Sequence, residues 1–197
     1  MTARLNALCV FCGSSLGSSD VYRQGALAFG AELARRGVDL VWGGGHVGLM
    51  GVIADAVLDG GRRAIGVIPQ FMVGRELAHP RASELAVVDS MHSRKATMAA
   101  RADAFVLLPG GLGSFEEFFE VLTWAQLELH DKPIGVLNLA GYFDPLLELL
   151  SHASREGFVH HRSLDLLVSA QHPTSLLDQL EARRVATPAS RGLLDRT

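Results

Sequence analysis

Seven short apolar runs constrain this chain more than any other feature. They fall at residues 5–11, 38–42, 64–68, 85–88, 104–108, 133–137 and 166–168. Each is continuous rather than alternating, the pattern of strands covered on both faces in a parallel sheet. Helical stretches separate them. One spans 20–36 with Gly37 as its stop; a second runs to Asp59 and stops at Gly60 and Gly61. A third is capped by Ser90 and reaches Arg101, a fourth starts at Ser114, and two more span 143–156 and 173–184. This alternation predicts a single doubly wound, Rossmann-like α/β domain over residues 1–185, with about seven mostly parallel strands and helices on both faces. Residues 70–84 form a connection longer than most, suited to a pocket wall. Residues 186–197 read as a disordered tail.

In such sheets ligands bind at the carboxyl ends of the strands. That rule gathers three glycine-rich turns on one rim: Gly13-Ser14-Ser15, Gly43-Gly44-Gly45-His46-Val47-Gly48 and Gly110-Gly111-Leu112-Gly113. A strand, a glycine turn and a helix start make an anion site, because free N–H groups and the positive end of the helix dipole face the ligand. In the third turn a carboxylate stands where it would repel a phosphate. Ser114-Phe115-Glu116-Glu117 fits a capping box, with Glu116 and Glu117 in the first helical turn. Glu117 therefore either caps the helix or does chemistry beside the phosphate.

Arg94 and Lys95 follow Ser90-Met91-His92-Ser93 near the start of their helix, where cations oppose the dipole. They read either as an exposed basic pair or as contacts to an anion on the rim. Gly43 to Gly48 fails as a dinucleotide fingerprint, since it follows the second strand and no acidic residue ends the next one. No Walker lysine follows any of the glycine turns. Lys95 and Lys132 are the only lysines, so a Schiff-base enzyme would have to use one of them. Lys132 lies in a turn away from the rim, and no apolar pocket for Lys95 is legible.

Cys9 and Cys12 are three residues apart on or beside a strand, which sends them to opposite faces as structural cysteines. The eight histidines show no zinc-ligand spacing, and no metal is expected. A net charge of −3 gives no reason to expect nucleic acid or a membrane surface as partner. No apolar run approaches the ~18 residues of a membrane helix. The N-terminus passes into a strand without a signal-peptide pattern, so a cytoplasmic protein is expected.

With these segments placed, Pro109-Gly110-Gly111-Leu112-Gly113-Ser114-Phe115-Glu116-Glu117 resembles the P-G-G-x-G-T-x-x-E signature of the Lonely Guy family, with Ser114 in place of Thr. Met91-His92-Ser93-Arg94-Lys95 resembles its M-H-x-R-K, and the segments at Phe11–Ser15, Gly43–Gly45 and Thr123–Leu127 are similar in the same order. The resemblance spans about residues 5–180. It implies a Rossmann-type homodimer that hydrolyses cytokinin riboside 5′-monophosphates to free base and ribose 5-phosphate, with no metal or organic cofactor. An older label of this family, possible lysine decarboxylase, sits poorly with two lysines.

The resemblance also implies roles. Arg94 and Glu117 match the catalytic pair. Gly111 to Glu117, Arg94, Lys95 and Thr123 match nucleotide contacts, and Glu76 a further substrate contact. Met91 and Gly110 lie inside the matching motifs, and Gly13, Ser14, Gly44 and Gly45 in the glycine turns of the same rim, so they join the expected binding set. Breaking an N-glycosidic bond passes through an oxocarbenium-like ribose, which a carboxylate stabilises while it activates water. Glu117 suits that task; Arg94 would orient it or hold the substrate. The rival reading is a non-catalytic nucleotide or cofactor carrier, which needs the anion sites but not the carboxylate.

Overall fold

The apolar runs pair in parallel throughout. The computed structural model describes residues 4–73 and 77–186. Its strands are β1 (Ala7–Phe11), β2 (Asp39–Trp42), β3 (Ala64–Pro69), β4 (Glu84–Val88), β5 (Ala104–Leu107), β6 (Ile134–Leu137) and β7 (Leu167–Ala170). The helices are α1 (Asp20–Arg36), α2 (Gly48–Asp59), α3 (Gln70–Val73), α4 (Met91–Arg101), α5 (Leu112–Gln126), α6 (Asp144–Arg155), α7 (His161–Leu164) and α8 (Pro173–Ala186). One sheet holds all seven strands in the order β4-β3-β2-β1-β5-β6-β7. The expected mostly parallel sheet is thus wholly parallel.

The chain lays down β1 to β4 in one direction, then crosses back to place β5 on the other side of β1. That reversal opens a crevice between the carboxyl ends of β1 and β5. Phe11 pairs with Leu107 at those ends. Gly13 N–H then donates to the Pro109 carbonyl at 3.0 Å, so the first and third glycine turns lie against each other.

Local chemistry fixes the helix ends. Ser19 caps α1 by accepting from Val21 N–H, and Gly37 ends it in the left-handed region at φ 73°. Ser90 and Ser93 form a reciprocal capping box on α4. Where α1 crosses α2, a Cβ on Gly30 would fall 2.6 Å from the Ala56 Cβ, so glycine sets the closeness of the two helices. The core has two halves, one on each face of the sheet. Phe29, Trp42 and Cys12 belong to one, Phe105, Phe118 and Cys9 to the other. Each fully buried aromatic contributes about 2–3 kcal/mol of transfer free energy. Burial pushes both thiols up, so they are inert packing groups.

The described parts of the 70–84 connection, residues 70–73 and 77–84, are more ordered than their sequence implies. After α3, His46 N–H donates to the Leu77 carbonyl at 3.0 Å and His79 N–H to the Gly44 carbonyl at 2.8 Å. Ala78 bridges antiparallel to Gly45. Backbone groups in the buried second glycine turn need partners, and this segment supplies them. Glu76 and residues 187–197 lie outside the described residues. Among the described residues no helix is long and apolar enough to cross a membrane.

Candidate active site

The helix that carries Glu117 begins earlier than its capping motif indicates. α5 starts at Leu112 with Gly111 as N-cap and no side-chain cap. Ser114 is therefore the third helical residue, and Glu117 lies in the second turn, beyond reach of the cap position. The capping box expected of Ser114 and Glu117 is not formed, and neither glutamate is in the first turn. The glycine turn itself winds into the helix: Phe115 N–H donates to the Gly111 carbonyl at 3.0 Å. The buried Ser114 hydroxyl packs on Gly110, where a Cβ would fall 2.3 Å from it.

With the capping role gone, Glu117 needs another account. Its side chain is 12% exposed. Among the described residues no hydrogen bond reaches its carboxylate. Its one close partner is Arg94, whose Nη1 stands 3.7 Å from Oε1. Burial raises the Glu117 pKa, and the Arg94 charge opposes part of that rise. Side chains on a helix lean toward its N-terminus, which in α5 is the end that carries the glycine turn.

Arg94 is held from three sides. Nε donates to the Val67 carbonyl at 3.1 Å and Nη2 to the Gly43 carbonyl at 3.2 Å. Nη1 approaches the Met91 sulfur at 3.8 Å. Gly43 is glycine for this reason: a Cβ there would lie 1.9 Å from Nη2. Lys95, the next residue, pairs with Glu116 and with Glu120 at 3.0 Å. The exposed-basic-pair reading is overturned, because α5 places carboxylates opposite both cations. Burial lowers the Lys95 pKa, but its two carboxylate partners outweigh this and hold it above the usual value. A Schiff-base lysine needs the reverse. Burial does lower Lys132, yet it donates to the Ala99 carbonyl at 2.7 Å just ahead of β6, at the opposite rim.

The three glycine turns divide by task. In the second, the α2 N–H groups of Leu49 and Met50 donate to the Gly13 carbonyl at 3.0 and 3.4 Å. That helix start is closed, so the rim does not hold three open anion loops. Gly44 and Gly45 are buried, and their carbonyls accept from His79 N–H and Trp42 Nε1. The third turn is open. Among the described residues nothing accepts the N–H groups of Leu112, Gly113 and Ser114, and a Cβ on Gly111 or Gly113 would meet nothing within 4 Å. Neither glycine has a positive φ. Packing and backbone conformation leave both positions free for a side chain, so the cleared space serves something that approaches from outside.

A cavity of about 380 Å³ fills the β1–β5 crevice, walled by Ser14, Ser15, Tyr22, Leu49, Gly110 and Tyr142. Gly111 lines it too, while Arg94 and Glu117 do not. Cavity and ion pair thus flank the same glycine turn. Tyr142, which sequence reasoning missed, donates from its hydroxyl to the Gly110 carbonyl at 2.6 Å. The signal was its place after β6, on the same rim. Thr123 is exposed, six residues and ~9 Å of helix rise beyond Glu117. The structure does not bring the two together within one protomer. Among the described residues no three His, Cys, Asp or Glu side chains form a metal-binding group.

Known proteins resemble this chain in sequence and in fold. A family model described as possible lysine decarboxylase matches residues 50–180. The cytokinin riboside 5′-monophosphate phosphoribohydrolase LOG1 of Arabidopsis thaliana is 47% identical over 179 residues, covering 91% of this chain and 84% of that protein. LOG3 of the same plant is 46% identical over 190 residues, covering 94% and 88%. Among solved structures, the molybdenum cofactor binding protein from Rippkaea orientalis superposes with a TM-score of 0.69 over 94% of this chain and 99% of that one. At 19% identity it shares the fold alone. Identity near one half over nine-tenths of the sequence is of another order, and on it the chain belongs to the Lonely Guy family.

Proposed function

We propose that this protein hydrolyses the N-glycosidic bond of adenosine 5′-monophosphate or its N6-prenylated form, releasing the free base and ribose 5-phosphate. One observation carries the reading: a carboxylate only 12% exposed, with no hydrogen bond among the described residues, stands 3.7 Å from an anchored arginine on the helix whose start is open. The N–H groups of Leu112, Gly113 and Ser114 take the 5′-phosphate in the space that Gly111 and Gly113 leave clear. That anchors the ribose against Glu117. As the bond to the base breaks, positive charge grows on the ribose, and the Glu117 carboxylate stabilises it. Water then attacks the anomeric carbon, and Glu117, its pKa raised by burial, accepts the proton. The departing base takes up a proton from solvent and Glu117 later releases the water proton to solvent, so the balance is one water consumed. Arg94, fixed on two carbonyls, orients Glu117 and tempers its pKa.

Binding alone needs the glycine turn but gives no use for a largely enclosed Glu117 that makes no hydrogen bond among the described residues. The carrier reading has only fold likeness behind it. Incubation with adenosine 5′-monophosphate and with isopentenyladenosine 5′-monophosphate, followed by chromatography for free base, tests the proposal. Tight binding without base release would return the protein to the carrier class.

The functional unit we propose is a homodimer. α5 exposes an apolar stripe at i, i+7 and i+15: Leu112 at 88%, Phe119 at 36% and the C-cap residue Leu127 at 59%. Thr123 lies on the same stripe, which supports a nucleotide contact made near the subunit boundary.

A further inference from the structure

The connection from β6 to α6 is built tightly for a surface turn. Asn138, 5% exposed, accepts from Phe143 N–H at 2.8 Å and donates to Asp144 at 2.7 Å. Between them Ala140 and Gly141 take left-handed conformations in succession, at φ 51° and 73°. L side chains such as that of Ala140 rarely adopt this region. The result is to turn Tyr142 inward. Its ring meets Tyr22 and Phe143 edge to face, at centroid distances of 5.5 and 4.8 Å. Its hydroxyl ends on the Gly110 carbonyl at 2.6 Å.

That carbonyl belongs to a peptide with glycine on both sides. With glycine on both sides, no Cβ of its own restricts the Gly110–Gly111 peptide to one orientation, so its neighbours must set it. In a trans peptide the C=O and the following N–H point in opposite directions. Fixing the Gly110 oxygen on Tyr142 therefore aims the Gly111 N–H the other way, and no group among the described residues accepts it. The opposite rotamer would turn a carbonyl toward an approaching anion.

We infer that Tyr142 is a positioning residue: its hydroxyl selects the orientation of the Gly110–Gly111 peptide in which the turn offers an N–H to the substrate phosphate. This rests on the reading of the turn as a 5′-phosphate site. Tyr142→Phe keeps the ring and both edge contacts and removes the hydroxyl alone. Ribose 5-phosphate and adenine, the two products, are the probes, with binding measured by calorimetry for the wild-type protein and the variant. Ribose 5-phosphate should bind about five- to tenfold more weakly to the variant, the effect of one hydrogen bond, while adenine stays within about twofold. Unchanged ribose 5-phosphate affinity would overturn the role of Tyr142 and leave the phosphate site standing. Equal weakening of both probes would overturn it too, as a general disturbance of the crevice. A wild-type protein that does not bind ribose 5-phosphate would sink the inference together with the phosphate site. A second measurement needs no variant: the Gly111 amide resonance of the wild-type protein should shift on titration with ribose 5-phosphate. A resonance that stays still while the probe binds would refute the proposed orientation.

Discussion

Arg94 and Glu117 stand at a distance that gives charge but no hydrogen bond: 3.7 Å from Nη1 to Oε1, with the other two guanidinium nitrogens committed to backbone carbonyls. A planar fork meets these three demands together, and an ammonium does not. Arg94→Lys should leave at least one of the buried Val67 and Gly43 carbonyls without a donor. The expected cost is roughly 1–3 kcal/mol of folding stability, read by denaturant unfolding. The rate of base release should fall by about 100-fold or more, because Glu117 loses its fixed neighbour. A variant turning over within about threefold of wild type would mean that a mobile point charge suffices.

Glu117 also sets a pH dependence. Burial holds its pKa above the ordinary glutamate value, and Arg94 pulls it part of the way back. The working form is the anion, so the acid limb of the kcat/KM profile should lie above the ordinary glutamate range. Arg94→Gln should move that limb further up. The same shift bears on stability with a definite sign. A carboxylate whose pKa is raised in the folded state binds protons more readily there, so its contribution is present at low pH. That contribution is lost as pH rises from the ordinary value through the raised one. Glu117→Gln should abolish base release and flatten this loss, with no melting penalty from a missing cap, since Glu117 does not cap α5. A Gln variant with near wild-type turnover would leave the site without its carboxylate.

How far these features could be read from residue order varies with how local their causes are. The bounds of α1 follow from Ser19 and Gly37, and α4 from Ser90, because capping is settled within four residues. The same four-residue logic misplaces the start of α5. Ser-x-x-Glu looks alike at the N-cap and at the third helical position, and Gly113 reads as a break although it is helical. The carboxylate partners of Lys95 and the Gly43 cradle of Arg94 join residues 21 to 51 positions apart. Such pairs become visible only once the sheet order is known. The closure of the second glycine turn by Gly13 is of the same kind.

The exposed stripe on α5 predicts an oligomeric state. Phe119→Lys places a charge in its centre, where desolvation on association would be unfavourable. Sedimentation velocity should show a homodimer for the wild-type protein and a shift toward monomer for the variant. Far-UV circular dichroism should stay unchanged, since Phe118, Val121 and Ala125 carry the buried face of the helix. A wild-type monomer, or a variant that dimerises equally well, would remove this stripe from the interface.

The glycine turn allows the sharpest separation of folding from function. Gly110 is required by packing, since its Cβ would sit 2.3 Å from the Ser114 hydroxyl and 2.9 Å from the Gly13 nitrogen. Gly113 is not: its Cβ would meet nothing, its φ is not positive, and it lies inside α5, where alanine is the better helix former. Gly110→Ala should therefore destabilise the protein. Gly113→Ala should stabilise it, by up to about 1 kcal/mol, through helix propensity and reduced freedom of the unfolded chain. If the space is kept for a phosphate, the stabilised Gly113→Ala protein should show a KM for the nucleoside monophosphate raised by about tenfold or more. Gain of stability with loss of binding, at one position, is what a residue selected for ligand approach and against its own helix must give. A Gly113→Ala protein that is more stable and binds substrate as before would show that the phosphate is held elsewhere.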